Sequence, residues 1–478
     1  NVWGNALIEA IKNKKIAEDL IDDKVKRILS VAEFSKRFEQ PKIKNEEAID
    51  NPEHRKLLRK AAADGMVLLK NDDMLPLKKD IKKLAIIGPN AKEAQIIGGG
   101  SASLKPHYQV HPLEAIQARI GPKTEILYSK GCHTHKYLPK INEKLMGSSD
   151  GFLVEYFDGE NFEENLLFKE NLRGSKFWVF EGFAKEIIGK EERSKTSVKF
   201  SCAYTPDISG EHAFEIFGIG QCRMLIDDKE LIDNWNNIEP GEAFFTFGSA
   251  SKKGFANFEK GKTYKVEVQY YFEGNFPALY IGCQPPDKID LFSEAMDVAS
   301  EADAVILIVG TNSDWETEGN DRADLNLPTN QNALIDAVLN TNKNTALIIN
   351  TGSPVNIPWS SKAKAILQTW FAGQEFGNAL FDILSGEINP SGKLPTSFPM
   401  RIEDTPAFKS YPGKNLQMNY HEKLLVGYRW YEKQSIQPLF CFGHGLSYTK
   451  FKYKNLEINI EDNKEVSCKF SIENTGEI

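Results

Sequence analysis

The chain has 478 residues, 41% of them hydrophobic and 26% charged. That composition is ordinary for a globular protein, and the length exceeds one ordinary core, so two to four domains are expected. The net charge of −8 argues against nucleic acid or an anionic membrane as the main partner, and no apolar run is long enough to span a bilayer. Six scattered cysteines (Cys132, Cys202, Cys222, Cys283, Cys441, Cys468) form no CxxC pair, so neither a zinc knuckle nor a dense disulfide framework is indicated. The pattern mildly favours a reducing, cytoplasmic compartment, but localisation stays open, because the chain starts at Asn1 without an initiator Met or signal-like segment. It stops at Glu477-Ile478, just after a strand alternation over 466–472, and is expected to be a fragment cut at both ends.

Residues 5 to 38 carry apolar residues at helical spacing, with Asp22-Asp23 expected near the start of a second helix, where carboxylates suit the dipole. A polar linker follows Pro41. A further helix from about His54 leads into an extended segment, Gly65 to Asn71, and Lys83 to Asn90 reads as a buried strand ending in a glycine turn. Gly98-Gly99-Gly100-Ser101 could cradle a phosphate, but GxGxxG and a Walker lysine are missing, so a tight backbone turn is the preferred reading. A helix is expected over 112–119 and a strand over 124–128. His133-Thr134-His135 has no further ligand nearby, and no metal is assigned.

From about Phe152 to Pro286 helical periods vanish and short alternating strands take over, at 198–204, 210–217, 222–226, 264–270 and 278–281. Beyond Asp290 an α/β alternation resumes, which makes the all-β segment an insertion whose two ends should lie close together. Strands are expected at 304–309, 345–350 and 365–367, with helices from Asn332 and over 380–384. The run Ala304 to Val309 is continuously apolar, as in a parallel strand covered on both faces. The loop after it holds Asp314, Glu316, Glu318, Asp321, Arg322 and Asp324. Ionisable groups at the carboxyl end of such a strand mark where open α/β sheets place their sites.

Several stretches together resemble glycoside hydrolase family 3, in its β-glucosidase branch. They are GMVLLKND (65–72), IIGPNA (86–91), GGGS (98–101), TEGNDRADLNLPTNQNALI (317–335), TGSPVNIPW (351–359), AGQEFGNALFDILSGEINPSGKLPTSFP (372–399), VGYRWY (426–431) and FGHGLSYT (442–449). VKRILS (25–30) is similar to the end of that family's (β/α)8 barrel. Residues 210 to 283, with MLIDDKELIDNW (224–235), look like the protective-antigen-type β-sandwich inserted in one subgroup. The resemblance implies an α/β and all-β multidomain fold: barrel helices (1–40), a linker (41–62), an α/β sandwich domain in two parts (63–145 and 289–447), the inserted sandwich (146–288) and the start of a fibronectin type III-like domain (448–478).

Retaining hydrolysis of a glycoside needs two carboxyl groups about 5–5.5 Å apart, one an ionised nucleophile and one a proton donor. The resemblance places the acid/base at Glu318, with Glu316 in reserve and the nucleophile on the barrel, upstream of this sequence. Ser313-Asp314-Trp315 resembles the family's nucleophile tripeptide but follows the wrong strand, so Asp314 is read as a loop residue that could line the cleft. Gly319 allows a sharp backbone path, and Asp321-Arg322 is expected to pair and hold the loop. Trp235 and Asn236 of the insert are candidates for an aglycone subsite, with a core tryptophan as the equal alternative. Relatives of this sandwich that bind calcium carry an acidic pair where this chain has Gly218 to Gln221, so calcium is not expected. Tyr428 to Tyr431 are read as junction packing, and His444 as a hydrogen-bonded turn histidine.

The expected function is a retaining β-glucosidase acting on a β-glucoside or oligosaccharide, without a cofactor, with homo-oligomerisation left open. A β-xylosidase within the family, or a non-catalytic carbohydrate-binding scaffold, are the alternatives. Without the nucleophile this piece is expected to be inactive alone. A nucleotide-binding α/β protein ranks last, since no phosphate loop is in place.

Overall fold

The computed structural model describes residues 4–41, 45–147, 151–162, 165–188, 195–460 and 465–476; the readings that rest on Asn1, Glu477 and Ile478 lie outside them. Two compact units divide at Pro52. The first holds helices α1 (Asn5–Lys12) and α2 (Glu18–Phe34), in which no residue is buried. Apolar side chains stand out along α2, with Ile28 69%, Val31 66% and Phe34 90% exposed. Its first-turn acids are Glu18 and Asp19. Asp22-Asp23 therefore lie a turn further in than expected, because the helix begins after the extended residue Ala17.

The second unit is built on a six-stranded sheet. Helix α3 (Pro52–Gly65) precedes β1 (Val67–Asn71) and β2 (Lys83–Ile87), followed by α4 (Pro112–Arg119) and β3 (Glu125–Ser129). After the insert come α5 (Leu291–Glu301), here numbered with its sheet, the strand Ala304–Gly310, α6 (Gln331–Thr341), the strands Thr345–Asn350 and Ala365–Gln368, and α7 (Phe376–Ser385). From one edge, the spatial order is 67–71, 365–368, 345–350, 304–310, 83–87, 125–129. Only the edge pair β1 with 365–368 is antiparallel.

Every residue of Ala304–Gly310 is buried, and alternate side chains enter different cores. Ile306 and Ile308 pack with Ala63, Ile116 and Leu380 of α3, α4 and α7, while Val305, Leu307 and Val309 pack with Ala295, Leu334 and Val338 of α5 and α6. Helices on both faces explain why this strand reads as an unbroken apolar run. On one face Arg59 and Arg119 both donate to the buried carboxylate of Asp382, at 2.5 to 2.6 Å, tying α3 and α4 to α7.

The chain leaves the sheet after β3 and, among the described residues, forms ten antiparallel strands: β4 (Phe152–Asp158), β5 (Leu166–Leu172), β6 (Lys176–Trp178), β7 (Lys195–Tyr204), β8 (Gly210–Ile219), β9 (Gln221–Ile226), β10 (Lys229–Asn234), β11 (Lys252–Phe258), β12 (Tyr264–Glu273) and β13 (Ala278–Gln284). They make a six-stranded sheet, β10-β9-β12-β7-β4-β5, and a four-stranded sheet, β11-β8-β13-β6. Between them lies an aromatic core that includes Phe152, Tyr156, Phe200, Phe214 and Tyr270. The two ends of the excursion meet as expected, for Cys283 donates its N–H to the Pro139 carbonyl at 2.7 Å. The three sheet strands after the insert are β14 (Ala304–Gly310), β15 (Thr345–Asn350) and β16 (Ala365–Gln368). A short helix, α8 (Tyr428–Gln434), and an exposed hairpin of β17 (Phe451–Ile460) and β18 (Val466–Asn474) complete the chain. All six cysteines are unpaired. Among the described residues no helix is long and apolar enough to cross a membrane, and no three His, Cys, Asp or Glu side chains form a metal-binding group.

Candidate active site

From β2 the chain moves to β3 on one side of the sheet; from β14 it moves to β15 and β16 on the other. The point between β2 and β14 is where the strand order reverses, and loops at the carboxyl ends of such strands form crevices. Three loops converge there: 98–101 after β2, 313–322 after β14 and 352–353 after β15.

Thr317 and Asn320 pair across a tight turn that puts Glu318 and Gly319 at its tip. Gly319 has φ +78°, a left-handed conformation that favours glycine. The Glu318 carboxylate is exposed and accepts from the Ser101 amide at 3.0 Å and from the Ser101 hydroxyl. Both hydrogen bonds favour the ionised form and hold its pKa below the ordinary glutamate value. Glu316, two residues earlier, turns inward: it accepts from Thr311 Oγ1 at 2.5 Å, Gly352 N at 3.0 Å and Ser353 Oγ at 3.2 Å. Such a carboxylate is committed to holding loops together.

The expected Asp321–Arg322 pair does not form. Arg322 instead donates to Ser353 Oγ and the Asn326 carbonyl, with Glu316 and Asp324 as the nearby negative charges, while Asp321 accepts from the Tyr411 hydroxyl. Adjacent residues on a tight loop point apart, so each found a partner on a different segment.

Glu318 borders two cavities. One, of about 350 Å³, lies between the loops and the insert and is lined by Asp314, Trp178, Glu242, Phe244, Phe245 and Tyr280 among others. The other opens along Gly98 to Ala102, Glu316, Arg322 and Phe371. Asp314 thus shares a cavity with Glu318, and its burial pushes its pKa up, partly offset by Lys176 and Lys136. The insert touches the acidic loop directly: Glu242 accepts from Asn320 Nδ2 at 3.0 Å and from Lys136 Nζ at 2.9 Å, and a Cβ on Gly319 would sit 3.6 Å from Phe245.

Trp235 and Asn236 border neither cavity. The Trp235 ring packs near Phe162, Tyr271 and the Arg223 guanidinium, and Asn236 bonds to Asp233. Tyr428 packs on Phe442, Trp430 donates to the Asp404 carbonyl, and His444 bonds the Leu69 carbonyl at 2.8 Å. Sequence reasoning did not single out Ser101, Glu242, Phe244 or Phe245 as site residues. The glycine triplet was the available signal for Ser101; the insert turn carried none, since Phe244, Phe245 and Thr246 are three successive non-glycine residues with positive φ.

The profile of the glycosyl hydrolase family 3 C-terminal domain matches residues 66–448. The chain belongs to glycosyl hydrolase family 3. It is 36% identical over 504 residues to a probable β-glucosidase I of Emericella nidulans, covering 99% of this chain and 59% of that protein. A probable β-glucosidase I of Aspergillus niger is also 36% identical, over 505 residues, covering 99% of this chain and 60% of that protein. Among solved structures, a β-glucosidase from Kluyveromyces marxianus in complex with glucose superposes with TM-score 0.85 at 30% identity, over 98% of this chain and 58% of that one. A β-glucosidase from Streptomyces venezuelae in complex with D-glucose gives TM-score 0.63 at 26% identity, over 99% of this chain and 55% of that one. The family 3 chain therefore spans about 60% of the curated relatives it matches. Its multidomain α/β and sheet-rich fold is that of the C-terminal portion of family 3 β-glucosidases.

Proposed function

We propose that this chain is part of a retaining β-glucosidase and that Glu318 is its acid/base residue. One observation carries the reading: of the loop's two glutamates, Glu318 alone borders both cavities, while Glu316 is consumed by three donors. The names of the relatives supply the substrate class, a terminal β-D-glucosyl group. The nucleophile belongs to a (β/α)8 barrel of which α1 and α2 are the last helices, their exposed apolar stripe suiting them to pack on it. The insert is of the protective-antigen type, and the final hairpin opens a fibronectin type III-like domain.

In this scheme the sugar stands between Glu318 and the nucleophile. Glu318 protonates the glycosidic oxygen as the nucleophile attacks the anomeric carbon, then takes a proton from the water that hydrolyses the glycosyl intermediate. Its pKa here lies low because Ser101 solvates the carboxylate. A substrate that excludes water and an ionised nucleophile close by would both raise it, as the donor role demands. The leaving group would occupy the cavity walled by the insert, which Phe244, Phe245 and Glu318 line together. Aromatic faces bury large apolar area and suit the apolar face of a sugar.

Glu318→Gln in the full-length protein, assayed on an aryl β-glucoside with a poor leaving group, tests the assignment. The rate should collapse with the protein folded; an undiminished rate would remove Glu318 from the role.

A further inference from the structure

The segment Gly98-Gly99-Gly100-Ser101 binds no phosphate in the proposed reaction, yet its geometry is demanding. Gly99 donates its N–H to the Glu316 carbonyl at 2.8 Å, so it lies against the acidic loop as a short extra strand would. A Cβ on Gly99 would come within 2.2 Å of the Ser313 carbonyl oxygen. On Gly100, which has φ +72°, it would meet the Cβ of Glu318 at 2.6 Å. Side chains at either position would push the two loops apart. The Ser103 hydroxyl closes the turn by donating to the Gly100 carbonyl at 2.6 Å. The outcome is that Ser101, next in the chain, offers both its amide and its hydroxyl to one oxygen, Oε2 of Glu318.

We propose that Ser101 is a positioning residue for Glu318, holding the carboxylate at the mouth of both cavities and setting the pH range over which it works. The proposal rests on the acid/base reading of Glu318. Other charged groups face the same space. Across the first cavity stand Glu181, Glu242, Asp314, Lys140 and Lys176; across the second, Glu316, Asp321 and Arg322. None of them hydrogen-bonds to Glu318, so the Ser101 donors dominate its local environment, in keeping with the direction of its pKa. Two donors on the ionised form have a specific consequence. They favour the base that accepts water's proton in the second half of the reaction, and they oppose the acid needed in the first. Ser101 therefore sets the alkaline limb of kcat/KM at a lower pH than Glu318 alone would.

The test uses the full-length enzyme and the pH profile of kcat/KM on an aryl β-glucoside with a poor leaving group. Ser101→Ala removes one of the two donors and leaves the amide. Its alkaline limb should move up by about one pH unit. Ser101→Thr, which keeps the hydroxyl, should restore the original limb. Should the alanine variant fail to fold, Ser101→Cys, of similar size and a weaker donor, should displace the limb in the same direction by a smaller amount. A limb that stays in place, or moves down, overturns the proposal whatever the loss in rate, because a merely structural serine would lower the profile without displacing it. Glu318→Ala separates the two readings. If it abolishes activity while Ser101→Ala leaves the limb in place, the positioning role alone fails. If Glu318→Ala is undiminished, the acid/base reading fails first.

Discussion

In the α/β domain, the residues that face the two cavities come from segments after five adjacent strands: those after β2 and β14 line both, the one after β3 lines the first and those after β15 and β16 line the second. In the insert they come from Lys176, Trp178 and Glu181 in and after β6, from Phe217 of β8, from the turn Glu242 to Phe245 and from Tyr280 of β13. The first set is ionisable and cross-braced by backbone amides; the second is mostly aromatic, with Glu242 as its polar link to the acidic loop. A parallel sheet aims its loops at one edge by construction, so a site there follows from topology. An antiparallel sandwich has no such edge, and its contribution depends on which turn lands on the neighbouring domain. On the proposed reading, proton transfer belongs to the α/β domain and leaving-group contact to the insert.

The largest effect should follow from Glu318→Ala, about 10²–10⁴-fold in kcat/KM on substrates with poor leaving groups. An equal loss from Phe245→Ala would break the division of labour. Next comes the brace beneath the site. Removing Asp382 as Ala takes the shared acceptor from Arg59 and Arg119, of which Arg119 keeps Glu387, and should destabilise the α/β domain by about 2–3 kcal/mol, measured by denaturant unfolding. Burial opposes the charge of Asp382, but the two arginine hydrogen bonds prevail and hold its pKa below the usual value. Its contribution is accordingly full above the ordinary aspartate pKa of about 3.9 and is lost as pH falls through the lower folded value. The Asp382→Ala variant should lose this acid dependence.

Phe245→Ala, by contrast, should act mainly on leaving-group binding. A ring contact worth on the order of 1 kcal/mol predicts a several-fold rise in KM for a disaccharide, with less change for a small aryl glucoside. Equal changes for both substrates would argue that the turn only shapes Gly319. Smallest of all, Trp235→Ala should leave kcat/KM within about twofold, since its ring packs on Phe162 and Tyr271 away from both cavities. A large rise in KM would return Trp235 to the aglycone subsite.

The same comparison explains what could be read in the sequence. β14 and β15 were legible to within a residue because a strand buried on both faces is filled by apolar side chains, the polar Thr345 and Asn350 standing only at the ends of β15. The insert was legible as a region, and five of its strands alternate clearly. β11 escaped because KKGFANF breaks the alternation, with Gly254 placed where a Cβ would strike Ile232 and Leu231. β10 escaped because half of KELIDN is charged, on a half-exposed edge. At the site, Glu318 was reached through the family resemblance, whereas Ser101 was not, since its role depends on two loops some 217 positions apart meeting at the switch point. The Phe244–Phe245 turn escaped altogether, because positive φ at three non-glycine residues leaves no mark in composition.

The most direct test of the central claim is azide rescue of the full-length Glu318→Ala enzyme. On an aryl glucoside with a good leaving group, the glycosyl intermediate should still form but turn over slowly. Added azide, which needs no base, should restore the rate and yield β-glucosyl azide with retained configuration. No rescue, or an azide product of inverted configuration, would contradict Glu318 as the acid/base residue of a retaining β-glucosidase.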